Sequence, residues 1–252
     1  MQNTLLVGLS RQVALGREMD VVANNIANLD TTGFKADGSL FEEFLNSPAR
    51  SGGVSNSRVS FVLDRGIWHD MSQGSIQRTG NPLDVAVDGN AFLVAQTPRG
   101  ERYTRNGAMQ INSQGQLVTS DGDPVLGEAG PITFQQTDNG ISIGKDGTIS
   151  VREGTSRTDS VRGKLRLVTF GNMQQLQKEG GTLFAASGNA QPQPAVGAGV
   201  TQGAVEKSNV RSVVEMSRMI EITRTYTQIA TMLQQQSDLN QTSLDKLADI
   251  PA

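Results

Sequence analysis

Hydrophobic positions divide the chain into regions of different period. Near the start, Leu5, Leu9, Leu15, Met19, Val22, Ile26 and Leu29 recur at three- and four-residue spacing, interrupted by Gln12. That spacing predicts one helix within residues 1–34. Thr31, Thr32 and Gly33 predict its end, because glycine accepts the left-handed exit from a helix. Over residues 74–190 the pattern becomes short strands: Leu83–Val87, Ala91–Val94, Gln116–Val118, Ile141–Ile143 and Lys164–Val168. Turn pairs such as Asp88-Gly89, Asn106-Gly107, Asp121-Gly122 and Asp146-Gly147 separate them, as an all-β body requires. Residues 35–73 read as a connector, with Leu40–Leu45 a short amphipathic turn, Ser47–Gly53 a loop and Val59–Leu63 a strand. Residues 191–204, holding Pro192, Pro194 and several glycines, read as a linker. Helical spacing returns over residues 205–252, where Met219, Ile222, Tyr226, Ile229 and Leu233 form a stripe. The expected fold is α+β: an all-β sandwich or irregular barrel body flanked by long N- and C-terminal helices that pack as a coiled coil.

Length adds a consequence. A helix of about 40 residues is ~60 Å long, whereas a β domain of this size is ~30 Å across. Val213, Val214, Met216, Ile220 and Met232 lie off the main C-terminal stripe and widen its apolar surface beyond one two-helix seam. Ser208–Ser243 has no Gly or Pro at which to fold back. Neighbouring copies or related chains are therefore the expected cover.

Composition and charge narrow the chemistry. A net charge of −3 and 4% aromatics among 252 residues argue against a phosphate-binding field or a base-stacking surface, so nucleic acid is not an expected partner. The absence of cysteine removes disulfides and thiolate chemistry. No stretch approaches the ~20 apolar residues of a membrane span, and the start lacks the basic and apolar regions of a cleavable signal. His69, the sole histidine, has no evident catalytic or metal-binding partners and reads as a surface or core residue. Asp121-Gly122-Asp123 lacks the rest of a calcium loop and reads as a hairpin turn. Gly197–Gly203 has the wrong spacing for a nucleotide fingerprint, and Glu42 and Glu43 read as solvated carboxylates. No catalytic residue, metal ligand or cofactor is expected, and the chain reads as a non-enzyme. An enzyme carrying helical oligomerisation arms would need a convergent titratable set. Asn24, Asn25 and Asn28 are poor helix formers. They fit either a solvent-facing, fraying helix end or a polar ladder that fixes register between packed helices.

Read as a string, Ala23-Asn24-Asn25-Ile26-Ala27-Asn28-Leu29-Asp30-Thr31-Thr32-Gly33-Phe34-Lys35 resembles the N-terminal signature of flagellar rod and hook proteins. Thr79–Gly89, Tyr103–Gly107, Leu117–Gly122 and Glu206–Val210 resemble further blocks of that family, in the same order. An adhesin or tail-fibre module would share the β body but not this asparagine-rich signature. The resemblance implies a structural subunit of the basal-body rod, most like the proximal-rod branch, with the distal-rod branch as the alternative. It implies that residues 1–34 and 205–252 form an inner tube with the β body outside, in a periplasmic shaft that transmits torque and encloses an export channel. The implied partners are copies of the chain, neighbouring rod proteins and, during secretion without a cleavable signal, the flagellar export apparatus. Direct membrane insertion is not expected. The interaction residues expected are Leu15, Met19, Val22, Asn24, Asn25, Ile26, Asn28, Leu29, Gly33, Phe34, Met219, Ile222, Tyr226, Ile229 and Leu233.

Overall fold

The run Ala91–Ala95 is apolar without alternation because its sheet is covered on both faces; all five residues are at most 1% exposed. Strand Phe92–Thr97 lies inside a six-stranded antiparallel sheet. The strand order is Leu176–Lys178, Leu183–Ala186, Gly100–Thr104, Phe92–Thr97, Leu167–Thr169 and Gln193–Pro194. Phe92 and Val94 enter one cluster with Tyr103, Val168, Phe170, Leu176 and Phe184. Leu93 enters the other, with Val85, Val87, Met109, Leu117, Ile149 and Val200. In the first cluster Phe92 meets Phe170 and Phe184 edge-on, each at 6.0 Å between ring centroids.

The computed structural model describes residues 2–46, 59–154, 158–188 and 190–248. It divides into two compact units, one of Met1–Ala27, Asp37–Trp68 and Arg211–Ala252, the other of Asn28–Ala36 and His69–Val210. The second unit is the β body. Besides the six-stranded sheet it holds a three-stranded sheet of Asp138–Ile143, Thr148–Glu153 and Asp159–Lys164. Two-stranded pairs complete it, among them Val85–Asp88 with Gly199–Gln202 and Ile76–Arg78 with Ala204–Glu206. Asp121-Gly122 caps the hairpin that follows Leu117–Thr119: Gly122 N donates to Thr119 O at 3.0 Å, and Thr119 N donates to Asp123 O at 2.8 Å. Gly107 has a different use. A Cβ there would stand 1.8 Å from Val85 O, so glycine lets two backbones meet.

The first unit contains helix α1 (Gln2–Ala27), helix α2 (Ser212–Ala248) and a two-stranded sheet of Asp37–Asn46 and Val59–His69.

The expectation of a sandwich or barrel flanked by coiled-coil helices requires correction. The described residues form two α-helices, one short 3-10 turn and a mostly β body built around a six-stranded sheet with small accessory sheets. A coiled coil needs an apolar seam sustained over several heptads. Among the described residues the buried seam between the helices comprises Leu15, Val22 and Ile222, and beyond Leu233 the stripe positions become Gln236, Asn240 and Ser243.

Local readings also shift. Helix α1 ends at Ala27, followed by a turn in which Thr31 N donates to Asn28 O at 3.3 Å. Leu40–Leu45 belongs to a strand rather than an amphipathic turn. Much of the glycine-rich stretch before residue 204 is paired strand, since Gly199–Gln202 finds a partner more than 100 positions earlier. The loop expected at Ser47–Gly53 lies outside the described residues.

Candidate functional site

Helices α1 and α2 meet around Leu15, Val22 and Ile222, with Met19, Ile26, Met219, Tyr226 and Ile229 partly buried against them. Gly8 permits close approach, because a Cβ there would lie 2.6 Å from Leu233 Cδ2. Arg218 Nε and Nη2 both donate to Glu18 Oε1, at 3.0 and 2.7 Å, a charge-assisted fork at the margin of the seam.

The three asparagines have different settings. Asn25 is 1% exposed; its Nδ2 donates to Asp37 O at 2.8 Å and to Glu215 Oε2 at 3.2 Å, while its Oδ1 accepts from Asp37 N at 2.9 Å. Both ends of the amide are used, so it fixes the start of the Asp37–Asn46 strand. Asn24 is exposed and Asn28 is half-buried, its Oδ1 accepting from Thr31 Oγ1 at 3.1 Å. Leu29 is half-buried, while Gly33 and Phe34 are buried as part of the β body.

The outer face of α2 is apolar and open. Val213, Ile220 and Leu239 are 76%, 69% and 63% exposed. Thr223, Thr227 and Thr231 follow one another at four-residue steps. Each hydroxyl donates back to the carbonyl one turn earlier, at 2.8–2.9 Å, which uses its hydrogen atom within the helix. With Met219, Ile220 and Met232 they line a groove of about 680 Å³.

The body holds a second constellation, made of charge. Lys35, Arg105 and Glu206 are each 1% exposed. Lys35 Nζ donates to Glu206 Oε1 and to Ser72 O, both at 2.6 Å. Arg105 Nη1 donates to Glu206 Oε2 at 3.3 Å and to Val87 O at 3.1 Å, and its guanidinium lies 5.3 Å from the Phe92 ring centroid. Gly74 N donates to Glu206 Oε1 at 2.9 Å, and Gly33 N to Glu206 O at 2.8 Å. Burial pushes the Lys35 ammonium below the ordinary lysine range, with Glu206 pulling it back; burial likewise lowers Arg105 against the pull of Glu206. Asn209 closes the edge of the cluster: its Oδ1 accepts from Ala36 N at 2.7 Å and its Nδ2 donates to Asp70 O at 2.8 Å. His69 is buried in the same body, edge-on to Phe184 at 5.8 Å.

Three stretches of this chain match described families. Residues 5–35 match the flagella basal body rod protein family. Residues 86–151 match the flagellar hook protein FlgE/F/G D1 domain, and residues 201–246 the flagellar basal body rod FlgEFG protein C-terminal region. The chain is 39% identical over 251 residues to the flagellar basal-body rod protein FlgF of Caulobacter vibrioides, covering 99% of this chain and 100% of that protein. The chain belongs to the flagellar basal-body rod protein family. It is also 32% identical over 237 residues to FlgF of Mesorhizobium japonicum, covering 93% of each chain. Against the basal-body rod protein FlgG of Caulobacter vibrioides the identity is 32% over 242 residues, covering 88% of this chain and 90% of that one.

Within this rod-family chain, each matched stretch supplies one member of the buried charge cluster: Lys35 from the first, Arg105 from the second and Glu206 from the third. One charged residue from each of the three matched stretches thus meets the others inside the body. None of the three residues carries a role in the sequence pattern; the signal that marks them is a charged residue inside each family-like block. Among the described residues, no helix is long and apolar enough to cross a membrane.

Proposed function

We propose that this chain is a structural subunit of the proximal part of the flagellar basal-body rod, acting by assembly. Terminal helices α1 and α2 carry the contacts, to copies of the same chain and to neighbouring rod proteins. The observation that carries this reading is the outward apolar face of α2, where Val213, Ile220 and Leu239 are more than 60% exposed on a chain related end to end to basal-body rod proteins. Covering one such side chain contributes ~1.5–3 kcal/mol, so a few of them drive association without further chemistry. Of the interaction residues expected from the sequence, Met19, Asn24, Ile26, Asn28, Leu29, Met219, Tyr226, Ile229 and Leu233 keep some exposure and are proposed as contacts together with Ile220 and Met232, whereas Leu15, Val22, Asn25, Gly33, Phe34 and Ile222 are buried within the chain. The proposed route to the periplasmic rod is the flagellar export apparatus, and direct membrane insertion is not part of the proposal. Neither nucleic acid, a cofactor nor a catalytic reaction belongs to this role.

Deletion of the gene, followed by electron microscopy of basal bodies and a swimming assay, tests the reading. Truncated rods and loss of swimming are expected; intact rods and normal swimming would overturn it. The 32% identity to FlgG favours a second reading, a distal-rod subunit. Complementation separates the two: restored swimming in a strain lacking FlgF supports the proximal position, and restoration only in a strain lacking FlgG supports the distal one.

A further inference from the structure

Nearly all of the β body precedes residue 199 in the sequence. The six-stranded sheet takes its last strand from Gln193–Pro194, and the three-stranded sheet is complete at Lys164. A chain ending there would still lack three things. Val85–Asp88 would have no strand ladder among the described residues, because its ladder is made by Gly199–Gln202. Val85 and Val87 belong to the larger apolar cluster, and so does Val200, which packs there at 1% exposure; the missing strand is therefore a core strand and not an edge ornament. Ile76–Arg78 would lack Ala204–Glu206. Lys35 and Arg105 would lie buried with no carboxylate between them, since Glu206 faces both.

The last deficit differs in kind from the first two. Unpaired strand edges find water or one another, whereas a buried unpaired cation strongly penalises the compact state itself. Two such cations, contributed by positions 35 and 105, make the body without Glu206 worse than merely incomplete. Glu206 uses both carboxylate oxygens on them, accepts Gly74 N on one and takes Gly33 N on its own carbonyl. One residue therefore ties the segment Asn28–Ala36 to the rest of the body.

We infer that Gly199–Glu206 is the closing element of the body and Glu206 its latch, so that the earlier chain does not hold the folded body until this segment is seated. The body then opens as one cooperative unit, with no state in which Gly199–Glu206 has peeled away from an otherwise intact sheet.

Native-state hydrogen exchange on the full chain tests this. Protected amides of Val85–Asp88, Phe92–Thr97 and Gly199–Glu206 are expected to exchange with one shared opening constant, and to converge on global unfolding as denaturant is added. E206Q is expected to raise that constant in all three strands together, by roughly a hundredfold or more. Exchange of Gly199–Glu206 at least about tenfold faster than Phe92–Thr97 in the parent chain would overturn the inference, because the segment would then be a detachable flap. E206Q raising exchange in Gly199–Glu206 alone would overturn it equally. The parent-chain measurement decides the matter even where E206Q does not fold.

Discussion

The β body and the pair of helices satisfy their residues in opposite ways. In the body, apolar side chains close on themselves in two clusters on either side of one sheet, and even its buried charges find partners inside, where Glu206 pairs with both Lys35 and Arg105. In the helical unit the fully buried seam is Leu15, Val22 and Ile222, while Val213, Ile220, Met232 and Leu239 face outward. Body composition is explained by its own fold; the outward apolar residues of α2 are explained by the assembly proposed for them. Substitutions should accordingly unfold the body but leave the helices folded and unable to assemble.

The largest effect is expected at the latch. Glu206→Gln leaves two buried cations short of a counter-charge and should lower the unfolding free energy by about 3–5 kcal/mol, read by denaturant titration of the full chain. A loss below about 1 kcal/mol would show that the body tolerates the vacancy, weakening the contrast. Next comes Gly107→Ala, whose methyl would meet the Val85 carbonyl at 1.8 Å. Crowding of this kind costs ~1–3 kcal/mol, visible as a lower melting temperature.

A smaller effect, dependent on pH, is expected at Asp138. Arg162 Nε donates to Asp138 Oδ2 at 2.7 Å and Nη2 to Oδ1 at 2.5 Å, and these bonds hold the carboxyl below the ordinary aspartate range. The unfolded value is ~3.9. Because the folded value is lower, the stabilisation is fully present above about pH 4 and is lost as pH falls through the folded value. Asp138→Asn should melt below the parent at pH 7, and the gap should narrow as pH falls below about 4. A gap of constant size would remove the ion pair as its cause. The smallest effect on stability is expected from Ile220→Ser and Met232→Ser, within about 0.5 kcal/mol, as at other exposed sites. The same variants should fail to support swimming. Normal motility of the double variant would break the comparison at its weaker side, leaving the outward face of α2 without a purpose.

How far the fold was legible depended on the distance over which each interaction acts. The stripe Met219–Leu233 is local, and it lies on α2 as its spacing predicts. The unbroken apolar run at Ala91–Ala95 announced a strand, although only the sheet order shows why alternation is missing. Leu40, Phe41, Phe44 and Leu45 have near-helical spacing, yet this segment is a strand because Val59–His69 supplies a ladder; a remote partner overrode a local preference. Glycine at 197, 199 and 203 resembled a linker for the same reason, since its partner strand lies far upstream. The ion pair of Lys35 with Glu206 spans 171 positions. No periodicity can encode a contact of that kind, and only the family blocks marked its members. The asparagines were half-legible: their unsuitability for a helix was plain, but the burial of Asn25 beside exposed Asn24 depends on where Asp37 is delivered.

The hairpin turn at Asp121-Gly122 offers a practical handle. Both residues are exposed, and the turn is held by the backbone of Thr119 and Asp123. Exposed turns of small polar residues are the positions that best accept inserted sequence. A short epitope placed there would leave α1 and α2 unburdened, whereas a fluorescent fusion carried by either helix would compete with the surface proposed for assembly. Labelling at this turn would let antibody or gold decoration report the subunit's position in a working motor.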